Sequence, residues 1–210
     1  MPCNVLIVDD QRVSRLLFES IVASDSRYRV AASIETAILA DAWCAKGGID
    51  LILMDVVMKD GSNGLDAAAR IRVSYPGIKI IAVTSMPDPL LLKKARAVGV
   101  NSFWYKEVEA EPLLRVMNRT MDGEQVWPDT PPEVWLGNAS SGDFTRREMD
   151  VLRLLSECLS DREIAARLGL GLPTVRYHLR HLIEKTGLGS RTELAVRAVR
   201  CGLTIPEIGN

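Results

Sequence analysis

The chain has 210 residues, 47% of them hydrophobic and 25% charged, and these values fit two small globular domains. No apolar segment approaches the roughly 20 residues of a membrane span, and the N-terminus begins with a strand instead of a signal peptide, so we expect a cytoplasmic protein that contacts no membrane. Residues 1–143 hold 15 Lys and Arg against 19 Asp and Glu, whereas residues 144–210 hold 11 against 8, so only the second part has the basic balance of a polyanion-binding domain.

Strands and helices alternate through the first half of the chain. Apolar runs predict five strands, at residues 4–8, 28–33, 51–55, 78–83 and 101–105. Apolar residues at helical spacing predict a helix after each strand, at residues 12–23, 35–45, 65–73, 88–97 and 109–121. This alternation predicts the α/β fold class, with a doubly wound, five-stranded parallel sheet.

The rhythm stops between residues 122 and 143. Prolines, glycines and short polar residues fill this stretch and are unsuited to regular elements, so we predict a linker. Its two tryptophans, Trp127 and Trp135, are expected to pack against one of the domains, because a bare flexible tether rarely carries such residues.

The remaining residues, 144–210, predict a small all-α domain of four helices. Two capping signatures mark helix starts, Thr145 with Glu148 and Ser160 with Glu163. A glycine-containing turn at 169–172 follows the short second helix, and Pro173 opens a longer one. A short helix, a turn and a longer helix predict a helix-turn-helix inside this domain.

Polar side chains end four of the five predicted strands. They are Asp9 and Asp10 after the first strand, Asp55 at the end of the third, Thr84 after the fourth and Lys106 after the fifth. The carboxyl ends of parallel strands meet at one edge of the sheet, where ligands of open α/β folds bind. Any one of these residues alone is better explained as a turn former or a solvated residue. Together they predict a site for Mg²⁺ and a phosphoryl group, with Asp55 as the nucleophile.

These residues stand in four short motifs, Val8-Asp9-Asp10, Met54-Asp55, Val83-Thr84-Ser85 and Tyr105-Lys106. With the motifs in this order, residues 1–121 resemble a two-component receiver domain of flavodoxin-like fold, and the whole chain resembles a response regulator of the NarL/FixJ type. The resemblance implies that a sensor histidine kinase phosphorylates Asp55, assisted by Thr84 and Lys106. It also implies that Mg²⁺ is bound by Asp10, Asp55 and the backbone carbonyl of Val57, with waters ordered by Asp9, and that Phe103 changes its rotamer.

Two departures from the receiver pattern surround Asp55. Lys59 stands where the family usually has proline, and the loop to Gly64 is one residue longer than usual. Val57 and Met86 are apolar where polar residues often help water to reach the phosphoryl group. We therefore predict slow self-dephosphorylation.

The second half carries three motifs of its own, Phe144-Thr145-Arg146-Arg147-Glu148, Ser160-Asp161-Arg162-Glu163-Ile164-Ala165 and Thr174-Val175-Arg176-Tyr177-His178. Residues 144–203 thereby resemble a LuxR-type helix-turn-helix DNA-binding domain. By this resemblance and by chemistry suited to a major groove, three residues are expected to read bases, Arg176, Tyr177 and Arg180. Three others are expected to contact phosphates, Arg162, Thr174 and Lys185. Asp161 replaces the polar or basic residue common at its position and is expected to weaken contact with the DNA backbone.

The predicted function is a cytoplasmic, DNA-binding response regulator of a two-component system, not an enzyme. Its predicted parts are a receiver domain at 1–121, a linker at 122–143 and a LuxR-type domain at 144–210. By resemblance, phosphorylation favours a homodimer on double-stranded promoter DNA, and RNA polymerase is a further candidate partner.

Three alternatives remain open. The receiver could be a protein-docking or dimerisation domain that needs no phosphorylation, although the intact set of site residues argues against this. The helical half could be a protein-interaction module. The first half could also be a phosphatase or phosphotransferase, but its first two carboxylates are adjacent where such enzymes typically have them two apart, and the chain has no GxxxxGK loop.

His178 and His181 lack further ligands nearby and the four cysteines form no CxxC pair, so neither a zinc site nor a disulfide framework is predicted.

Overall fold

The computed structural model describes residues 2–58, 62–87, 89–106, 111–129 and 132–204. The chain divides into two compact units, the first formed mainly by residues up to 131 and the second mainly by residues from 132 onward. Among the described helices, none is long and apolar enough to cross a membrane.

The first unit contains five strands, β1 (Cys3–Val8), β2 (Tyr28–Ile34), β3 (Leu51–Asp55), β4 (Lys79–Thr84) and β5 (Ser102–Tyr105). They form one parallel sheet in the order β2-β1-β3-β4-β5. All residues of the central strand β3 are buried, because both faces of the sheet are covered. The predicted doubly wound, five-stranded parallel sheet is confirmed.

Five helices cover the sheet, α1 (Arg12–Ala23), α2 (Ala40–Ala45), α3 (Gly64–Ser74), α4 (Pro89–Val98) and α5 (Leu113–Met121). Side chains of α1 and α5, such as Phe18 and Met117, pack in one apolar cluster, and side chains of α2 and α3 such as Cys44 pack in another. Successive strand residues alternate between the two clusters. This arrangement explains why the strands are continuous apolar runs in the sequence.

Two helices differ from their predicted extents. The stretch 35–45, predicted as one helix, is a 3-10 turn at Ala37–Leu39 followed by the short helix α2. The predicted start of the fifth helix, residue 109, lies outside the described residues. The described helix α5 begins at Leu113 directly after Pro112, since the residue before a proline disfavours the helical conformation.

The second unit contains four helices, α6 (Arg146–Ser156), α7 (Asp161–Leu168), α8 (Leu172–Thr186) and α9 (Arg191–Arg200). The side chains of Thr145 and Ser160 both form capping boxes with the glutamate three residues later, as predicted. Gly169 ends α7 with φ 63°, a left-handed conformation that favours glycine. The short helix α7, the turn after it and the longer helix α8 form the predicted helix-turn-helix.

Part of the predicted linker has regular structure. A hairpin of two short strands, β6 (Trp135–Leu136) and β7 (Ala139–Ser140), precedes α6. Leu136 and Ala139 are buried in the core of the second unit, and the N–H of Asn138 donates to the carbonyl of Thr186 at 2.9 Å. The expectation of no regular elements is therefore wrong for 135–140, because contacts with distant helices stabilise a hairpin whose local signals are weak.

The two tryptophans of this stretch have different surroundings. The ring of Trp127 stacks on Phe103 in the first unit, with 6.2 Å between centroids, and Arg96 lies over it. Trp135 is 60% exposed. The packing expectation is thus confirmed for Trp127 and wrong for Trp135. The domain limits at 121 and 144 stay predictions.

Candidate functional site

Three carboxylates meet at the carboxyl edge of the sheet. Asp9 follows β1 and is fully buried, Asp55 ends β3 and is 3% exposed, and Asp10 is partly buried. One oxygen of each carboxylate lies within 4.8 Å of the others. The parallel register of β1 and β3, which pairs Val8 with Met54, brings these acids together although they are far apart in the sequence.

Lys106 adds a positive charge to this cluster. Its Nζ lies 2.6 Å from Oδ2 of Asp9 and 2.9 Å from Oδ2 of Asp55, and its side chain is only 10% exposed. The backbone N–H of Lys106 donates to the carbonyl of Thr84 at 2.9 Å, which fixes the lysine at the end of β5. The other oxygen of Asp9 accepts from the N–H of Gln11 at 2.8 Å. The acids and the ammonium are therefore held together by contacts at the carboxyl ends of four strands, β1, β3, β4 and β5.

Burial and charge shift the ionisation of two groups in the cluster. Burial raises the pKa of Asp55 to about 6; Lys106 opposes this rise and Asp9 adds to it. Burial by itself would lower the pKa of Lys106, but the carboxylates of Asp55 and Asp9 outweigh it and raise that pKa. Near neutral pH the site thus holds an ionised Asp55 beside a protonated lysine.

The donor set of the cluster fits Mg²⁺. This ion prefers carboxylate oxygens and waters in an octahedron with bonds of about 2.1 Å, so ligands on opposite sides lie about 4 Å apart. Carboxylate oxygens within 4.8 Å of one another approach that spacing. Asp9, Asp10 and Asp55 could therefore hold one Mg²⁺, which would supply positive charge at this edge of the sheet.

Two of the other predicted receiver residues, Thr84 and Phe103, lie on β4 and β5, and Val57 follows β3. Thr84 is the last residue of β4 and is 1% exposed. The backbone N–H of Val57 donates to Oδ1 of Asp55 at 3.3 Å, so Val57 lies directly beside the predicted acceptor. Phe103 is buried in β5, and Lys59 lies outside the described residues. The roles assigned to these residues stay predictions.

Three residues near the acids were not identified from the sequence as parts of the site. Nη1 of Arg15 donates to the carbonyl of Asp9 at 2.8 Å. The signal in the sequence was that this arginine follows the two acids by one turn of the predicted helix. Gly64 begins α3 where a Cβ would overlap the carbonyl oxygen of Asp55, so this close approach requires glycine. Asn63 caps the same helix by accepting from the N–H of Leu65 at 2.8 Å.

The helix-turn-helix exposes five of its six predicted DNA-binding residues, Arg162 on α7 and Thr174, Arg176, Tyr177 and Arg180 on α8. Exposed donors and an aromatic ring on one helix are chemically suited to a DNA groove. The two arginines of α8 have carboxylates nearby. Nε of Arg176 lies 3.5 Å from Asp161, and Nε of Arg180 lies 3.8 Å from Glu184. Which residues contact DNA stays a prediction.

The sixth residue, Lys185, is engaged inside the second unit. Its Nζ lies 2.7 Å from Oε2 of Glu148 and donates to the carbonyl of Asp143 at 3.0 Å. Burial would raise the pKa of Glu148, but hydrogen bonds from Lys185 and Thr145 outweigh it and hold that pKa below its usual value. A phosphate contact by Lys185 would compete with this ion pair, which joins α8 to the start of α6.

Comparisons with known proteins cover both halves of the chain. Residues 5–118 match the family model described as response regulator receiver domain, and residues 143–198 match the model described as bacterial regulatory proteins, luxR family. The response regulator protein VraR of Staphylococcus aureus is 28% identical over 211 residues, covering 97% of this chain and 99% of that protein.

Solved structures have the same fold. A structure of two RcsB dimers bound to two parallel DNAs matches with a TM-score of 0.61 at 18% identity, over 95% of this chain and 98% of that one. RcsB of Salmonella enterica serovar Typhimurium, bound to promoter rprA with the phosphomimetic BeF3-, matches with a TM-score of 0.58 at 19% identity, over 93% and 97%. The response regulator ChrA of a heme-sensing two-component system matches with a TM-score of 0.52 at 22% identity, over 95% and 97%.

Proposed function

We propose that this chain, which belongs to the response regulators and joins a receiver domain to a LuxR-type DNA-binding domain, is switched by phosphorylation of Asp55. It is a DNA-binding transcription regulator and not an enzyme. The observation that carries the proposal is the buried contact of Lys106 with both Asp55 and Asp9. Burying such charges opposes folding, and perturbed ionisable groups concentrate at functional sites.

In the proposed reaction an oxygen of Asp55 forms a bond to phosphorus while the bond from phosphorus to the donor breaks. The donor is a phosphorylated sensor histidine kinase, so the leaving group is an imidazole. Lys106 balances the negative charge of the arriving group, and Thr84 donates its hydroxyl to a phosphoryl oxygen, after which Phe103 changes its rotamer. Asp10, Asp55 and the backbone carbonyl of Val57 would hold Mg²⁺, with waters ordered by Asp9, and the ion would supply further positive charge. The apolar Val57 and Met86 keep water away and make self-dephosphorylation slow.

The proposed DNA interface is the exposed side of α7 and α8. Arg176, Tyr177 and Arg180 read base edges, whereas Arg162, Thr174 and Lys185 contact phosphates. The exposure of five of these residues supports this side of the two helices as the interface, and the RcsB structures on DNA provide the precedent for the fold. For Lys185 the contact requires release of its ion pair with Glu148.

Phosphorylation is proposed to shift the chain toward a homodimer that binds promoter DNA in the cytoplasm and contacts RNA polymerase. The RcsB dimers on DNA support the dimeric form by analogy of fold. The proposed limits are a receiver at 1–121, a linker at 122–143 and a DNA-binding domain at 144–210.

The test is treatment of wild type and Asp55→Asn with a small phosphodonor and Mg²⁺, read by intact mass and then by size-exclusion chromatography. We expect wild type to gain one base-labile phosphoryl group and to shift toward a dimer, while Asp55→Asn does neither. Asp41→Asn, which removes a partly exposed carboxylate paired with Arg70, should behave as wild type. If wild type is not modified, even by candidate kinases, the receiver acts as a docking or dimerisation domain and the proposal is wrong.

A further inference from the structure

Asp161 places a carboxylate among the arginines of the DNA-binding unit. It is the first residue of α7, and its side chain is 25% exposed. Oδ2 lies 3.5 Å from Nε of Arg176 on α8, and Oδ1 lies 3.6 Å from Nη2 of Arg191 at the start of α9. One carboxylate therefore connects three helices.

The carboxylate has a second ion-pair contact that does not involve Arg176. Nη2 of Arg191 also donates to the carbonyl of Leu159 at 2.8 Å, just before α7, so the arginine that faces Asp161 is itself held. The amino end of a helix favours a negative charge, which adds to the restraint on Asp161. Arg176 therefore faces a carboxylate that is restrained by a contact other than its own.

Arg176 is the less restrained partner. Its side chain is 67% exposed, and a long exposed side chain samples many rotamers. In the described part of the chain, Asp161 is its ion-pair partner and faces Nε, so the two terminal nitrogens are left for a ligand. Those two nitrogens are the donors that an arginine uses to bind guanine with two hydrogen bonds.

We propose that Asp161 is a positioning residue that orients the guanidinium of Arg176 for base recognition and thereby increases the sequence specificity of DNA binding. This inference rests on the proposed function, in which Arg176 reads a base. An unrestrained arginine can also bind phosphates, and this raises the affinity for DNA of any sequence. The carboxylate of Asp161 repels phosphates, so it disfavours those contacts more than contacts with base edges.

Two other acids of the same unit provide internal comparisons. Glu184 lies 3.8 Å from Arg180 in an exposed pair on one helix, a geometry that restrains an arginine little. Asp150 resembles Asp161 closely, since its side chain is also 25% exposed and lies between two arginines, 3.6 Å from Arg147 and 3.3 Å from Arg153. Asp150 is on α6 and pairs with none of the predicted base-reading residues, so Asp150→Asn is the matched control.

The test begins with selection of binding sites from a random-sequence duplex library by the full-length wild type, with Mg²⁺ and a small phosphodonor. Dissociation constants are then measured for the selected duplex, for its single base-pair variants and for random duplex. For Asp161→Asn we expect discrimination to fall about tenfold at one base pair of the site, without a loss of affinity for random duplex. Arg176→Ala should lose discrimination at the same base pair, and adding Asp161→Asn to it should change nothing further. Asp150→Asn should keep the wild-type discrimination throughout.

Three results would overturn the inference: unchanged discrimination in Asp161→Asn, an equal loss of affinity for selected and random duplex, or additive effects of Asp161→Asn and Arg176→Ala. The second result would mean that Asp161 only stabilises the unit. The variant would then also unfold at a lower temperature than wild type. If wild type selects no sequence at all, the proposed function fails and this inference fails with it. If wild type selects a site that Asp161→Asn reads equally well, this inference alone fails.

Discussion

At the scale of single residues, the buried carboxylate of Asp55 makes stability depend on pH. Its pKa is about 6 in the folded chain, against about 3.9 for an unfolded chain. Between these values the folded state binds more protons than the unfolded state, so the free energy of unfolding falls as the pH rises from about 4 to 6. In EDTA we therefore expect Asp55→Asn to be more stable than wild type by roughly 3 kcal/mol at pH 8 and about equal to it at pH 4.

Chemical denaturation at both pH values measures this difference. The exposed Asp129→Asn is the control, and its difference from wild type should be the same at pH 4 and pH 8. A wild type that is more stable than Asp55→Asn at pH 8 in EDTA would show that the pair with Lys106 outweighs the burial of the charge.

Addition of Mg²⁺ tests the same acids, because a bound ion should raise the free energy of unfolding that the buried charge of Asp55 lowers. Because the ion binds the ionised, folded site, it should stabilise wild type by about 1.4 kcal/mol at ten times its dissociation constant. We expect Asp10→Asn to lose most of this gain, since it removes one of the three clustered carboxylates. Asp41→Asn, at a surface pair with Arg70, should keep it. An equal stabilisation of all three proteins would place the ion elsewhere, and thermal unfolding with and without Mg²⁺ decides between these outcomes.

Gly64 is a residue whose small size makes room for the backbone of Asp55, the proposed acceptor. A Cβ at this position would overlap the carbonyl oxygen of Asp55, so Gly64→Ala must move the end of β3 or the start of α3. We expect a loss of about 1–3 kcal/mol in the free energy of unfolding, together with slower phosphorylation of Asp55. Gly77→Ala is the control, because nothing lies within 4 Å of a Cβ there, and it should change stability by less than about 0.5 kcal/mol. Equal stability of the two variants would contradict the prediction.

At the scale of elements, the hairpin β6–β7 belongs energetically to the helical unit. Leu136 is 1% exposed in the core of that unit, whereas its neighbour Trp135 is 60% exposed. We expect Leu136→Ala to lower the free energy of unfolding of the full chain by about 2–4 kcal/mol, through lost burial and a residual cavity. Trp135→Ala should cost well under half of that, although it removes a larger side chain. Denaturant unfolding of both variants provides the comparison, and a larger loss for Trp135→Ala would mean that the exposed face of the hairpin carries the stability.

At the scale of the whole molecule, we expect phosphorylation of Asp55 to be coupled to the affinity for DNA. Coupling free energies of this kind are typically about 1–3 kcal/mol, so phosphorylation should raise the affinity for a selected duplex about 5- to 150-fold. The measurement is titration of one labelled duplex at fixed salt, with and without a small phosphodonor. Asp55→Asn should show the same affinity under both conditions. A phosphorylated wild type with unchanged affinity would mean that the receiver controls some other step.

Several local features of this protein were predictable because their signals lie within a few residues. The apolar runs that end in Asp9, Asp55 and Thr84 predicted parallel strands with polar ends, and the structure has them. The Thr145 and Ser160 capping boxes follow from an Ser/Thr-x-x-Glu pattern alone. The hairpin at 135–140 was missed because its stability comes from helices that are distant in sequence.

The sequence by itself determined the alternation of strands and helices in the first unit, the four helices of the second unit and the chemical types of the side chains that follow the strands. Only the tertiary structure decided which of these side chains touch: Lys106 contacts an acid 97 residues away, Lys185 is paired with Glu148, and Asp161 faces Arg176. The physical reason is that secondary structure follows from periodicity and capping over a few residues. Distances between charges on different elements depend instead on how the entire core packs, and a one-residue change in register or a different rotamer would separate them.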